Sequence, residues 1–292
     1  MTAGRFATLT FQREVAAPVA TLWQAWTAPA AREVWSPPAP GVTVEYIEVD
    51  SRIGGLETSI CRSEGTPDVH VSARWLELKS CRISVNSEVV SSKGAVDSVA
   101  LVTANFSGDD SASRITVTVQ LSSQAEDMAS GYEHGFNGGL DNLAGVAERT
   151  MVLDRVIKAP VSVVWGAWMN AETLPQWWGP DGLSCRTSKI NLGVGGEWVF
   201  DMMGPDGTVF PNHHRYGRVI PEACLDYALH AGENGPKHAD AWVTFAAEGD
   251  ATRVTLGMVM ATHDDYRRAL GFGAVELGLQ TLGKLARFVG SD

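Results

Sequence analysis

The chain has 292 residues, of which 45% are hydrophobic and 20% charged. That is the make-up of a soluble globular protein long enough for about two domains. Its formal charge is −11: residues 1–148 carry 10 Lys/Arg against 18 Asp/Glu (−8), and the remainder 13 against 16 (−3). This sets aside nucleic acid and anionic membrane surfaces, which call for a basic patch.

No apolar run approaches the roughly 20 residues of a spanning helix, and no apolar stretch with a small-residue cleavage site follows Met1. Membrane insertion is therefore not expected, and a cytoplasmic location is. Cys61, Cys81, Cys185 and Cys224 show no C-x-x-C spacing, which favours reduced thiols over zinc or a redox motif. Cys81 and Cys224, 224 − 81 = 143 residues apart, are expected to be equivalent buried strand positions of a repeat.

Residues 6–15 predict a first strand. Pro18 then opens a helix, with Val19, Leu22, Trp23 and Trp26 on one face. A second helical turn, 30–35, ends against Ser36-Pro37-Pro38. Six strands are predicted next, at 42–49, 56–62, 69–78, 81–90, 98–106 and 114–121, most separated by turn residues such as Gly54-Gly55. No helix intervenes between them, so the order of a parallel α/β sheet is excluded. A helix over 125–147 closes this half. Its five glycines predict either a close-lying surface or space for a bound molecule, since each costs a helix roughly 1 kcal/mol relative to alanine.

The second half repeats the order. Ala159-Pro160-Val161-Ser162-Val163-Val164-Trp165-Gly166-Ala167-Trp168 echoes Ala17-Pro18-Val19-Ala20-Thr21-Leu22-Trp23-Gln24-Ala25-Trp26 at an offset of 160 − 18 = 142 residues. Strands are predicted at 151–158, 184–192, 197–203, 209–220, 224–231, 241–247 and 253–261, with short helices at 161–169 and 171–178. One final helix is expected over 263–289. A period this long marks two homologous domains, 1–147 and 148–292, rather than a solenoid.

The motifs Ala-Pro-x-x-x-(Val/Leu)-Trp-x-Ala-Trp, Trp177-Trp178-Gly179-Pro180, Gly195-Gly196-Glu197-Trp198-Val199-Phe200 and Gly204-Pro205-Asp206-Gly207 carry a resemblance. They resemble the family of activators of the ninety-kilodalton heat-shock-protein ATPase, within the START-like SRPBCC superfamily that includes the birch-pollen-allergen fold. The second half matches closely. The first has Trp35-Ser36-Pro37 in place of the double tryptophan and Leu56-Glu57-Thr58 after its glycines. The resemblance implies an α+β fold of two tandem helix-grip domains. Each would be a curved antiparallel sheet around a long C-terminal helix, with two short helices after strand 1.

Relatives in the superfamily bind hydrophobic molecules, cyclise polyketides or act as co-chaperones, so function has to be argued from a site. Alternation puts Trp198, Phe200 and Met202 on one strand face and His214 with Tyr216 on another. With Trp178 at a Gly-Pro turn, these six are the expected ligand-binding residues, for a small hydrophobic molecule held mainly in domain 2. Domain 1, having lost the aromatic pair, is expected to be structural. No nucleophile elbow, P-loop or H-E-x-x-H is present. No catalytic residue, metal or cofactor is therefore expected, and a non-enzymatic role leads. The alternatives are a chaperone partner, or a cyclase or hydrolase using Glu197, Asp201 or His214.

Overall fold

The computed structural model describes residues 5–123, 125 and 127–290. The chain divides after Glu148 into two compact units. In the first, β1 (Arg5–Val15) leads into α1 (Val19–Thr27) and α2 (Pro29–Trp35), followed by β2 (Val42–Glu48), β3 (Leu56–Ser63), β4 (Val69–Lys79), β5 (Ile83–Ser92), β6 (Ala95–Gly108), β7 (Ser113–Ser123) and α3 (Met128–Ala147). The strands form one antiparallel sheet in the order β1-β7-β6-β5-β4-β3-β2. The chain thus crosses from one edge strand to the other through α1 and α2, then meanders back to β1. α3 packs on β1, α1 and α2, gripped by the curve of the sheet.

Local chemistry accounts for the elements. Pro18 is extended (φ −54°, ψ 145°) and its carbonyl accepts the first helical bond, from Leu22 N at 3.0 Å. A proline is well suited there because its missing N–H would have no partner. β7 alternates strictly, burying Ile115, Val117, Val119 and Leu121. A register shift at Trp75/Glu77 bends β4 against β5, the usual effect of a bulge.

The second unit repeats this plan: β8 (Thr150–Ile157), α4 (Val161–Trp168), α5 (Leu174–Trp177), β9 (Ser184–Ile190), β10 (Glu197–Met203), β11 (Val209–Ile220), β12 (Cys224–His230), β13 (Lys237–Glu248) and β14 (Ala251–Met260). Sheet order is β8-β14-β13-β12-β11-β10-β9, and a bulge recurs at Tyr216/Val219. Two expectations need correction. The closing helix is broken into α6 (His263–Gly271) and α7 (Ala274–Phe288), because Gly273 adopts a left-handed backbone (φ 81°). Glycine enters that region at no steric cost. Cys81 lies in the turn before β5 with φ 57°, a conformation shared by Glu222. Its counterpart is therefore Glu222 (222 − 81 = 141) rather than Cys224.

Candidate functional site

The six expected site residues come together inside domain 2. Trp198, Phe200, His214 and Tyr216 are buried, and Trp178 and Met202 pack against them. The side chains meet one another. Trp198 stacks on Phe200 with centroids 3.7 Å apart, His214 stacks on Tyr227 at 4.4 Å, and Trp178 meets Trp198 edge-on at 5.8 Å and His214 at 5.3 Å. Rings in edge-to-face or offset contact at these separations are core packing of high quality.

The same positions in domain 1 look different. Pairing and hydrogen bonds fix the correspondence. Trp35 Nε1 donates to Ala25 O as Trp177 Nε1 does to Ala167 O, so Ser36 stands for Trp178. Gly54 N donates to Trp75 O as Gly195 N does to Tyr216 O, so Trp75 stands for Tyr216. Glu57 faces Ala73 as Trp198 faces His214, and Asn86 faces Trp75 as Tyr227 faces Tyr216. Along β3, Ser59 and Cys61 then replace Phe200 and Met202. Aromatic or long side chains have given way to Ser, Glu, Ser, Cys, Ala and Asn, with Trp75 alone remaining large.

The space so vacated is a cavity of about 640 Å³, lined by all six counterparts: Ser36, Glu57, Ser59, Cys61, Ala73 and Trp75. This is within the range of small-molecule sites. The sheet forms one wall and α3 the other, where Gly135 and Gly131 border the space and a Cβ on either would meet nothing within 4 Å. Gly138, three residues on from Gly135, is different: a Cβ there would lie 2.4 Å from Pro38 O. The close-lying surface expected for these glycines is thus found at Gly138, and open space at Gly131 and Gly135, all on one face of the helix.

Polar groups punctuate an otherwise apolar lining. The Arg32 guanidinium donates to Glu57, which also accepts from Ser51 at 3.0 Å, and it lies 4.2 Å over the Tyr46 ring and 5.5 Å from that of Trp75. Burial works against the Arg32 charge, but Tyr46 and Glu57 outweigh it and hold the group above its ordinary value. Glu88 Oε1 accepts from Tyr132 Oη at 2.7 Å. Burial pushes the Glu88 carboxyl above the usual range, while the Tyr132 hydrogen bond and the Arg32 charge pull the other way. Trp75 Nε1 is buried with no hydrogen-bond partner. Leaving such a donor unmade costs about 1–3 kcal/mol.

In domain 2, burial first and His213 second hold His214 down at about 3, so it is a neutral ring at physiological pH. Neighbouring His213 faces the other way and bonds Glu197 at 2.7 Å. Glu197 itself is held below the usual carboxylate range, chiefly by Lys189, and so lacks the raised affinity of a proton donor. Among the described residues no three His, Cys, Asp or Glu side chains come together as a metal site, and no helix is long and apolar enough to cross a membrane.

The structure thus brings the six expected residues together by packing in domain 2 and opens a cavity at their counterparts in domain 1. Arg32, Asn86, Glu88 and Tyr132 went unnoticed. The signal was present in Trp35-Ser36-Pro37 and Leu56-Glu57-Thr58, where loss of aromatic volume is also gain of space.

The profile of the family described as Activator of Hsp90 ATPase homolog 1-like protein matches residues 16–148 and again 158–289. Among solved structures, a putative uncharacterized protein from Rhizobium leguminosarum is 22% identical, covering 50% of this chain and 97% of that one at a TM-score of 0.45. The Mll3558 protein from Rhizobium loti is 25% identical, with 49% and 97% covered and a TM-score of 0.44. The di-domain ARO/CYC StfQ from the steffimycin biosynthetic pathway is 13% identical over 97% of this chain and 98% of its own, at 0.41. No curated protein matches the chain.

Proposed function

This chain belongs to the family of Activator of Hsp90 ATPase homolog 1-like proteins in both of its halves, and on that premise we propose that its first domain binds a small hydrophobic molecule, without chemical change, between the sheet and α3. The observation that carries the reading is the cavity of about 640 Å³ at the positions that domain 2 fills with stacked aromatics. Mostly apolar walls with a few polar groups are what such sites need, the apolar area supplying affinity and the polar atoms orientation. The unpartnered Trp75 Nε1 gains a hydrogen bond when a ligand oxygen meets it. Domain 2, in this reading, is the filled and structural copy.

The test is a fluorescence titration with Nile red, a neutral apolar dye. Saturable binding at one site per chain is expected, and it is lost in Gly135→Leu, whose side chain enters the cavity. Absence of saturable binding, or equal binding by Gly135→Leu, contradicts the reading.

A further inference from the structure

We propose that the molecule held in domain 1 is a hydrophobic amine, bound as its cation with Glu88 as counter-ion. The inference rests on the cavity reading above and adds the charge of the ligand. Four acidic side chains line the space (Glu57, Glu88, Asp97 and Asp127) against a single basic one, Arg32. The Arg32 charge is already committed to Glu57, whose side chain is only 2% exposed. An anionic ligand therefore finds no free cation among the lining residues, and it meets carboxylates at Glu88, Asp97 and Asp127.

Glu88 is placed to answer a cation. Glu57, Ala73 and Glu88 lie side by side across β3, β4 and β5, and the small Ala73 between the two carboxylates leaves the floor open. One Glu88 oxygen accepts from Tyr132, itself 3.3 Å from Ser98 Oγ. The other has no protein donor among the described residues. The groups facing Glu88 are thus Tyr132 from α3, Ser98 from β6, and the paired Arg32 and Glu57 beyond Ala73. None of them neutralises it. A buried carboxylate without a partner is costly, and an ammonium group removes that cost by pairing with it. The aromatic walls from Trp35, Tyr46, Tyr132 and Phe136 suit the same cation through their electron-rich faces. Two residues along β5 from Glu88, Asn86 sits opposite Trp75. The unpartnered Trp75 N–H there selects an acceptor oxygen on the same ligand, on the order of 7 Å from the amine by strand spacing.

Three molecules of one skeleton separate the charge from the apolar part: phenylbutylamine, phenylbutanol and phenylbutyrate, titrated calorimetrically into the full chain at pH 7. The amine is expected to bind about tenfold more tightly than the alcohol, and the carboxylate more weakly than either. Glu88→Gln keeps an oxygen for Tyr132 and is expected to abolish the preference for the amine while leaving alcohol affinity unchanged. Glu57→Gln frees the Arg32 charge and is expected to raise affinity for the carboxylate. Equal binding of amine and alcohol, or an amine preference that survives Glu88→Gln, overturns the inference while the hydrophobic cavity stands. Failure of all three to bind the unsubstituted protein overturns both.

Discussion

Arg32 shows how domain 1 keeps a cavity open without falling apart. Its guanidinium pairs with Glu57 and lies over the Tyr46 ring, so that charge, hydrogen bonds and aromatic surface together hold the space that an apolar side chain fills elsewhere. Breaking such a buried pair leaves an uncompensated charge, which costs about 3–5 kcal/mol. Arg32→Met is therefore expected to lower the stability of domain 1 by about 3 kcal/mol in urea denaturation, with domain 2 unaffected. A loss under 1 kcal/mol would show that Glu57 is solvated in the native state.

His214 makes the opposite kind of statement. Buried among rings, it takes up a proton only near pH 3 when folded, against 6.5 for an ordinary histidine. The unfolded chain therefore binds more protons between those values, and stability falls as pH drops below 6.5. At 1.36 kcal/mol per pKa unit, domain 2 is expected to lose roughly 2 kcal/mol between pH 6.5 and 5. His214→Phe, which keeps the ring, is expected to flatten that slope in thermal unfolding. An unchanged slope contradicts the burial argument.

Among the elements, α3 carries the clearest functional signature. Gly135 costs the helix roughly 1 kcal/mol relative to alanine and returns no packing, since a Cβ there touches nothing within 4 Å. Gly138 is required, because Pro38 O would stand 2.4 Å from its Cβ. Gly135→Ala is thus expected to raise the melting temperature of domain 1, and Gly138→Ala to lower it. The contrast separates a glycine kept for a ligand from one kept for packing. A destabilising Gly135→Ala would remove the functional reading of that position.

The elements themselves were largely legible in the sequence, because alternation and turn residues write antiparallel strands plainly. Strand 197–203 and strand 209–220 were found to the residue. The break at Gly273 was not legible: glycines abound in both closing helices, and only the backbone distinguishes a left-handed one. Nor could pattern alone say that domain 1 encloses a cavity. Trp178, Trp198 and Phe200 suit a ligand pocket and a packed core equally well, and the difference lies in whether their rings find one another, a matter of three dimensions.

At the scale of the whole molecule, duplication explains the design. Two copies of one fold can diverge in their interiors, and here the positions that carry stacked rings in domain 2 line a cavity in domain 1. The offsets of 141 and 142 residues that relate Ser59 to Phe200 and Ser36 to Trp178 place filler and void at the same points of the same architecture. A ligand that binds only domain 1 stabilises that domain by mass action, about 2.7 kcal/mol at a hundredfold excess over its dissociation constant, and leaves the other transition where it was.

The most direct measurement exchanges the copies at one point. Nile red is titrated into the full chain and into two variants, Ser59→Phe, which gives domain 1 the side chain of its counterpart, and Phe200→Ser, which does the reverse. The account predicts that Ser59→Phe abolishes the saturable site and that Phe200→Ser leaves it intact. Binding that persists in Ser59→Phe and vanishes in Phe200→Ser would place the ligand in the second domain and contradict the account.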